Sequence, residues 1–345
     1  MKAAVAHGAQ DLRIDDHPRP TPAPDEVLVA VEWGGICGSD IAYVGSGVSG
    51  TAQLRQPLVL GHEVAGRVVE CGSSAPADLD GRPVAVLPAS IPEPAPEGQT
   101  APRRHLDPRS RYLGSAAHSP HTDGGFRELL AIPAAQALPL PEGVSTRRGA
   151  LAEPLAVALH AVNRAGTPLH DARPGSDVIV NGCGPIGLLI IAALAHRGAG
   201  HRIIATDIST HGLTQATRLG ADETVDLSQT ALSHEAPVVF EASGAPAALE
   251  TALAATARGG RLVQVGNLPK TPSPAALGDL VSREITWLGS FRFEDEMDDA
   301  IRLLAEGLDV EPIISHEFPL SEAQGAFDAA LDPSVPTSKI MLRIG

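Results

Sequence analysis

The chain has 345 residues, with 26 Lys or Arg against 41 Asp or Glu, so its formal net charge is −15 at pH 7. This length predicts about two domains, and 43% hydrophobic residues supply enough apolar material for buried cores, which excludes a wholly disordered chain. The acidic balance argues against nucleic acid or an anionic membrane as a partner, because both attract an excess of Lys and Arg.

Cysteine usage and the apolar stretches indicate the compartment. Cys37, Cys71 and Cys183 are too few and too scattered for a disulfide framework, which favours a reducing environment. Charged residues precede any long apolar run at the N-terminus, and the longest nearly uniform apolar stretch, 184–195, is shorter than the roughly 20 residues that span a bilayer. We therefore expect no secretory signal, no membrane span and a cytoplasmic location.

The first 150 residues read as β-rich. Short β-branched segments at 27–31, 64–70 and 83–87 are bounded by Gly, Pro and Asp, which is typical of a small barrel or sandwich. Residues 88–114 are rich in proline and predict an irregular surface lobe.

From about residue 149 the pattern changes to alternating helices and strands. Strands are predicted at 177–181, 202–206, 238–241 and 262–265, and helices at 150–165, 187–196, 213–219 and 247–257. Repeated strand–helix units require parallel pairing with right-handed crossovers, so a doubly wound sheet follows. A helix at 294–306 and a strand at 339–344 complete the chain.

A glycine-rich turn lies at the start of this second region. Gly182, Gly184 and Gly187 fit the spacing G-x-G-x-x-G, directly after a predicted strand and at the opening of a helix. Gly182 would allow the tight turn, Gly184 would let the backbone approach a pyrophosphate, and Gly187 would let the helix pack on the strand. The helix N-terminus, with Pro185 and Ile186, would offer free N–H groups to phosphates.

Asp207 follows Gly187 by about 20 residues, at the end of the next strand. A carboxylate there accepts hydrogen bonds from ribose hydroxyls and repels a 2′-phosphate, which favours NAD over NADP, although the nearby His211 could soften that preference. Either feature alone could be a glycine turn or a helix-capping Asp. Together they predict a dinucleotide site.

Four residues with metal-ligating side chains are spread over the first half of the chain. They are Cys37, His62, Glu63 and Glu153. Singly, each has an ordinary structural role, as a buried thiol, a hydrogen-bonded core imidazole or a carboxylate stabilised in the first turn of a helix. Together, a thiolate, an imidazole and carboxylates suit Zn²⁺ with one position open for water or substrate. A nucleophilic Cys/His pair is the competing chemical interpretation, and it has no use for the carboxylates or the dinucleotide loop.

The sequence resembles the zinc-dependent medium-chain dehydrogenases, in the polyol and sugar-acid branch that contains sorbitol dehydrogenase and L-idonate 5-dehydrogenase. The resemblance covers essentially the whole chain and is carried by five segments: GGICGSD (34–40), PLVLGHEVAGRV (57–68), AEPLAVALHA (152–161), the GCGPIG loop (182–187) and GSFRF (289–293). The segment YLGSAAHSPHTDGGF (112–126) looks closest to the L-idonate enzymes.

The resemblance implies an α/β chain with two domains and zinc in the cleft between them. Residues 1–148, completed by 290–345, would form a GroES-like catalytic domain, and 149–289 a Rossmann domain with a doubly wound parallel sheet. Cys37, His62 and Glu63 would bind zinc, with Glu153 as a further ligand or a water-bridged carboxylate. The resemblance further assigns Ser39 to the substrate oxygen, Tyr43 and Arg292 to the substrate, and Val265 and Gly266 to the nicotinamide.

The sequence departs from the family pattern at two places. Residues 88–114 contain no cysteine, whereas relatives often hold a structural zinc there through four cysteines, so we expect one zinc per subunit. Ala42 stands where relatives commonly have a His, so a proton relay from Ser39 would need water, ribose hydroxyls or another side chain.

The expected activity is NAD-linked oxidation of a secondary hydroxyl in a small sugar acid or polyol, with L-idonate to 5-keto-D-gluconate as the first candidate. Sorbitol, xylitol and threonine oxidation are the alternatives within this chemistry. A zinc-free quinone reductase-like enzyme and a non-catalytic NAD-binding redox sensor are rivals of other classes. We also expect a homo-oligomer, dimeric or tetrameric, with neither nucleic acid nor membrane as a partner.

Overall fold

The computed structural model describes residues 1–90, 104–166, 169, 175–198, 200–269 and 277–345. Residues 91–103 of the proline-rich lobe lie outside that description. The chain divides into two compact units. Unit 1 comprises 1–153, 297–307 and 314–345, and unit 2 comprises 154–296 and 308–313.

Unit 1 contains most of the strands. They are β1 (Lys2–Gly8), β2 (Asp11–Asp16), β3 (Glu26–Gly35), β4 (Val48–Ser49), β5 (Ala52–Gln53), β6 (Leu58–Val59), β7 (Glu63–Cys71), β8 (Pro83–Val86), β9 (Ala89–Ser90), β10 (Arg111–Tyr112), β11 (Leu129–Pro133) and β12 (Ala137–Pro139). Helices α1 (Gly38–Ser46) and α2 (Thr146–Gly149) follow β3 and β12, and α3 (Ala152–Ala165) begins in unit 1 and continues into unit 2.

Unit 2 alternates strands and helices as predicted. Its elements are β13 (Asp177–Asn181), α4 (Pro185–Arg197), β14 (Arg202–Asp207), α5 (Thr210–Arg218), β15 (Glu223–Asp226), β16 (Ala236–Glu241), α6 (Pro246–Ala255), β17 (Thr256–Gln264), α7 (Gly278–Ser282) and β18 (Thr286–Gly289). The chain then returns through α8 (Glu296–Ala305), and unit 1 is completed by β19 (Ile314–Pro319), α9 (Ala323–Leu331) and β20 (Lys339–Arg343).

Within the described residues, the main sheet of unit 1 has seven strands. Their order is β12-β8-β7-β3-β20-β19, with β11 also paired to β3. The C-terminal strand β20 runs antiparallel to β3, so the last residues of the chain lie beside Gly34 and Gly35. The larger core cluster of this unit includes Val29, Phe126 and Phe327.

The sheet of unit 2 is parallel throughout, in the order β15-β14-β13-β16-β17-β18. Val178, Ile179 and Val180 of β13 are all buried, because helices cover both faces of such a sheet. The strand order reverses direction at β13, whose neighbours are β14 on one side and β16 on the other. Ligands of doubly wound sheets bind at the carboxyl ends of the strands at this point.

The predicted fold class, a β-rich GroES-like domain with a doubly wound Rossmann sheet, is confirmed. The observed units part between Glu153 and Pro154 and between Glu296 and Met297, a few residues beyond the predicted limits 148/149 and 289/290. Residues 308–313 also group with unit 2 rather than with the C-terminal segment. Among the described residues, no helix combines the length and apolar character that crossing a bilayer requires.

Candidate functional site

The loop between β3 and α1 places Cys37 in unit 1. Cys37 is the N-cap of α1, and its N–H donates to the Asp40 carboxylate (Oδ2) at 3.0 Å. The other oxygen of Asp40 accepts the Gly61 N–H at 3.1 Å, and Asp40 is fully buried. This carboxylate therefore joins the Cys37 loop to the segment that carries His62 and Glu63.

Glu63 opens strand β7 and pairs with Gly35 at the end of β3. A Cβ atom at position 35 would lie 2.2 Å from Oε2 of Glu63, so only glycine leaves room for this carboxylate. His62 precedes the strand, and its ring packs edge-to-face on Tyr112 with centroids 5.5 Å apart. Sheet pairing and ring packing thus orient both side chains before any ligand binds.

Three predicted metal ligands converge. One ligand atom each from Cys37, His62 and Glu63 lies within 4.8 Å of the other two. His62 and Glu63 are buried, whereas Cys37 is half-buried. The Nδ1 atom of His62 has no hydrogen-bond partner among the described residues, and the nearest carboxylate oxygen, on Asp40, is 3.9 Å away.

Lys339, the first residue of β20, closes one side of this cluster. Its Nζ donates to both carboxylate oxygens of Glu63 at 2.7 Å and to the Ile36 carbonyl at 3.0 Å. The lysine is 2% exposed. Burial disfavours its charge, but the negative charges of Glu63 and Cys37 outweigh that effect and raise the pKa of Lys339.

Glu153 is outside the convergent trio. Its Oε1 accepts the Tyr112 hydroxyl proton at 2.5 Å, and burial raises the pKa of this carboxyl group. Its charge nevertheless acts on His62. This placement is compatible with a carboxylate that reaches a metal through water, one of the two roles expected for it.

The electrostatics of the cluster favour a cation. Burial disfavours a charged imidazole, yet the negative charges of Asp40 and Cys37 raise the pKa of His62 to about 10. The carboxylates Asp40, Glu63 and Glu153 are each at most 5% exposed. Lys339 is the cation paired with this group, and buried charge needs compensation. A thiol, an imidazole and a carboxylate within reach of one point therefore fit Zn²⁺.

The glycine loop of unit 2 has the geometry that its sequence predicts. Gly182 has φ +103°, in the left-handed region, and a Cβ at Gly187 would lie 1.8 Å from the Gly182 carbonyl oxygen. A Cβ at Gly184, by contrast, would meet no atom within 4 Å. Gly184 is the N-cap of α4 and Pro185 is its first residue, followed by Ile186. The loop thus leaves open space in front of a helix N-terminus, which fits a pyrophosphate.

Asp207 lies at the end of β14 beside this loop. Its Oδ2 accepts the Cys183 N–H at 2.5 Å, and its Oδ1 accepts the Ser209 N–H at 2.8 Å. A carboxylate has about four lone-pair sites, so two acceptor positions remain for ribose hydroxyls. The half-exposed Val265 and Gly266 follow strand β17 in the same unit.

The remaining predicted site residues are Ser39, Tyr43 and Arg292. Ser39 is half-buried in the first turn of α1, two residues after Cys37. Tyr43 is 3% exposed in the core of unit 1, and its hydroxyl accepts the Ala116 N–H at 3.0 Å. Arg292 has φ +52° and its guanidinium lies 4.9 Å from the Phe291 ring in unit 2. The substrate roles of Tyr43 and Arg292 stay predictions.

Sequence reasoning missed three residues of the metal cluster: Asp40, Tyr112 and Lys339. Asp40 had a signal, because an Asp three residues after the N-cap of a helix commonly reaches back to the N-cap backbone. Tyr112 and Lys339 had no such signal in the sequence. Tyr112 contacts Glu153, which is 41 positions away, and Lys339 contacts Glu63, which is 276 positions away, so only folding brings each pair together.

Comparisons with known proteins agree with this geometry. Residues 23–142 match the family described as alcohol dehydrogenase GroES-like domain, and residues 185–306 match zinc-binding dehydrogenase. Sorbitol dehydrogenase of Gallus gallus is 34% identical over 338 residues, covering 94% of this chain and 92% of the relative. The chain belongs to the zinc-binding dehydrogenases. It is an oxidoreductase of their polyol and sugar-acid branch.

Two further comparisons place this zinc-binding dehydrogenase within the family. L-idonate 5-dehydrogenase (NAD(P)(+)) of Escherichia coli (strain K12) is 35% identical, with 88% of each chain covered. The solved structure of L-idonate 5-dehydrogenase from Escherichia coli superposes with a TM-score of 0.90 at 31% identity, covering 99% of this chain and 98% of that one. A zinc-binding dehydrogenase from Sinorhizobium meliloti 1021, solved with NADP, has a TM-score of 0.87 at 28% identity, covering 99% of each chain.

Proposed function

We propose that this dehydrogenase uses zinc and NAD to oxidise a secondary hydroxyl of a sugar acid or polyol, with L-idonate, giving 5-keto-D-gluconate, as the first candidate. The observation that carries the proposal is the convergence of Cys37, His62 and Glu63 in a chain that also has an intact dinucleotide loop. The 35% identity to the Escherichia coli enzyme named for L-idonate supports the choice of substrate.

In this proposal Cys37, His62 and Glu63 hold the zinc, and Glu153 serves as a further ligand or through a water molecule. When bound, zinc supplies a Lewis acid for the substrate hydroxyl and the nicotinamide supplies a hydride acceptor. Ser39 would take the hydroxyl proton and pass it to water or to the ribose hydroxyls of the cofactor, because Ala42 offers no acceptor. Lys339 keeps the Glu63 carboxylate in place through its two 2.7 Å hydrogen bonds.

The nucleotide site is assigned to residues 182–187 and Asp207. The open space at Gly184 would accept the pyrophosphate, and Asp207 would accept hydrogen bonds from the ribose hydroxyls. A carboxylate at that position disfavours a 2′-phosphate, so NAD is proposed over NADP. Val265 and Gly266 would border the nicotinamide, and Arg292 would bind a carboxylate or hydroxyl group of the substrate.

Sorbitol oxidation is the second candidate. The Gallus gallus sorbitol dehydrogenase aligns with 94% of this chain, against 88% for the sequence of the L-idonate enzyme. Xylitol and threonine follow from the same chemistry. A zinc-free reductase and a redox sensor without turnover rank below these, because neither needs three converging zinc donors.

Substrate profiling tests the proposal. The purified enzyme is assayed for NAD reduction with L-idonate, sorbitol, xylitol and L-threonine, and we expect the highest kcat/KM for L-idonate. A preference for sorbitol or xylitol would replace the sugar-acid assignment with a polyol assignment. Absence of NAD reduction with all four, despite bound zinc and NAD, would favour the redox sensor.

The Cys37→Ser variant tests the metal. We expect it to lose zinc, measured by mass spectrometry, and to lose turnover, while NAD still binds because the glycine loop is intact. Activity in a zinc-free Cys37→Ser protein would reject the mechanism. The same metal analysis of the unmodified protein checks the expected one zinc per subunit, and light scattering checks the expected dimer or tetramer. The cytoplasmic location stays a prediction.

A further inference from the structure

A carboxylate that the proposed reaction does not use is buried at the carboxyl end of an inner strand of the unit 2 sheet. Glu241 is the last residue of β16 and is 0% exposed. It accepts the N–H groups of Ser243 at 2.8 Å and Gly244 at 3.1 Å, and it also accepts the Ser243 hydroxyl and the Gln264 amide N–H. Four donors on one carboxyl group are the arrangement that an ionised carboxylate, an acceptor only, requires.

The donors on Glu241 are all neutral. None of the ion pairs found among the described residues of unit 2 includes Glu241. Glu63, in contrast, is equally buried but is paired with Lys339 at 2.7 Å. A buried negative charge without a cation is costly, and it creates a site where an incoming positive charge is favoured.

Glu241 lies at the point where the strand order reverses. It pairs with Asn181 of β13, and the glycine loop follows that residue directly. Asp207, the candidate ribose ligand, lies on β14, on the other side of β13. A dinucleotide whose adenosine half lies towards β14 and whose pyrophosphate lies on the glycine loop extends its second half towards β16 and β17.

Glu241 also links the turns that follow these two strands. Its side chain binds Ser243 and Gly244 after β16 and Gln264 at the end of β17. Its backbone carbonyl accepts the N–H groups of Val265 at 2.8 Å and Gly266 at 2.9 Å. The turns that would contact the second half of the dinucleotide are therefore fixed around this one residue.

We propose that Glu241 is a positioning residue for the nicotinamide half of the cofactor, and that its negative charge makes the protein favour the oxidised, cationic ring over the reduced, neutral ring. The proposal rests on the proposed use of NAD. It concerns the relative affinity for two redox forms, which differ by one positive charge on the ring.

The test compares affinities for NAD⁺, NADH and ADP-ribose, measured by calorimetry and NADH fluorescence on the full-length zinc-loaded protein. In Glu241→Gln we expect the Kd for NAD⁺ to rise relative to that for NADH by roughly tenfold, because the buried negative charge no longer attracts the cationic ring through an interior of low dielectric constant. ADP-ribose, which lacks the ring, should bind with little change.

Asp207→Asn is the matched control, because it is the same carboxylate-to-amide change on the adenosine side. It should weaken NAD⁺, NADH and ADP-ribose by one common factor. Equal losses for NAD⁺ and NADH in Glu241→Gln would overturn the charge role. A loss for ADP-ribose as large as that for NAD⁺ would overturn the nicotinamide assignment.

Gln264 provides a second route if Glu241→Gln does not fold. Gln264 is half-buried, so Gln264→Lys can place a cation beside the unchanged Glu241, and Gln264→Leu is its neutral counterpart. The lysine variant should shift the NAD⁺-to-NADH affinity ratio towards NADH, and the leucine variant should not. Identical ratios in the two variants would overturn the inference, whereas failure of the unmodified protein to bind any of the three nucleotides would overturn the proposed function itself.

Discussion

Replacement of Lys339 by Met tests whether the metal cluster is held together by buried charge. Lys339 and Glu63 are 2% and 1% exposed, and both carboxylate oxygens accept from Nζ at 2.7 Å. Removal of one partner of a buried ion pair leaves the other charge uncompensated and costs about 3–5 kcal/mol. Met has nearly the shape of Lys, so the loss should come from charge and hydrogen bonding rather than from a cavity.

The expected loss corresponds to a Tm lowered by roughly 4–7 °C in the zinc-free protein, at about 1.4 °C per kcal/mol for a chain of 345 residues. Zinc should reduce this loss, because a divalent cation on Glu63 compensates the charge that Lys339 no longer balances. Added zinc should therefore raise the Tm of the variant more than that of the unmodified protein. Calorimetry with and without zinc, together with urea unfolding, measures both effects.

Lys2→Met is the matched control for this variant. Lys2 forms an ion pair with Asp16 at 2.9 Å, but their side chains are 50% and 80% exposed, so solvent screens the pair. We expect no measurable change in Tm. If zinc-free Lys339→Met unfolds within about 2 °C of the unmodified protein, or if zinc stabilises both equally, the reasoning about Glu63 is wrong.

Three further predictions concern unit 2. Gly184→Ala should leave the Tm unchanged, because its Cβ would meet no atom within 4 Å, but it should weaken NAD binding at least about tenfold by filling the space of the pyrophosphate. Gly187→Ala should instead destabilise the protein, because its Cβ would lie 1.8 Å from the Gly182 carbonyl oxygen. Calorimetry measures the change in Tm, and NAD titration measures the change in affinity. Asp207→Ala should weaken NAD more than NADP, and an unchanged ratio of their kcat/KM values would count against its assigned role. Burial acts to raise the pKa of Glu296, but hydrogen bonds from His160, the Glu294 backbone and Asn163 outweigh it and lower this pKa from 4.5 to about 2. Because the folded pKa is depressed, this stabilisation is present above about pH 4.5 and is lost as the pH falls towards 2. Between about pH 5 and about pH 3, the free energy of unfolding of Glu296→Gln should therefore fall by about 2 kcal/mol less than that of the unmodified protein, as measured by urea titration.

The dinucleotide loop could be predicted from sequence because its signal is local. A buried strand, three glycines and a helix start occupy residues 177–187. Close contacts require glycine at Gly182 and Gly187, whereas a Cβ at Gly184 would face open space. The four inner strands of the unit 2 sheet could equally be predicted, because burial on both faces leaves continuous apolar runs such as 178–180. The edge strands β15 and β18 could not, because none of their residues is buried. Strands β1 and β2 were missed, since Asp11, Arg13 and Asp15 interrupt the apolar pattern of that hairpin.

The metal cluster could be predicted only in part, because its members come from separate segments. Residue type and family resemblance indicate Cys37, His62 and Glu63, and the structure brings their ligand atoms together. A lysine in the last strand looks like an exposed residue in sequence, and only the antiparallel pairing of β20 with β3 brings Lys339 to Glu63. Pairings over such distances leave no periodic signal.

The metal site and the nicotinamide site share one physical property, which is buried negative charge. Unit 1 buries three carboxylates around a thiol and an imidazole with Lys339 as the paired cation, and unit 2 buries Glu241 among neutral donors. Folding alone leaves part of this charge uncompensated, which is unfavourable in a medium of low polarity. A zinc ion in the first site and an oxidised nicotinamide in the second would each supply positive charge where it is missing. Zinc should then stabilise the folded chain, and the Glu241 charge should raise the stabilisation by NAD⁺ relative to that by NADH, whose ring is neutral. A ligand that binds only the folded state stabilises it by an amount that increases with its affinity.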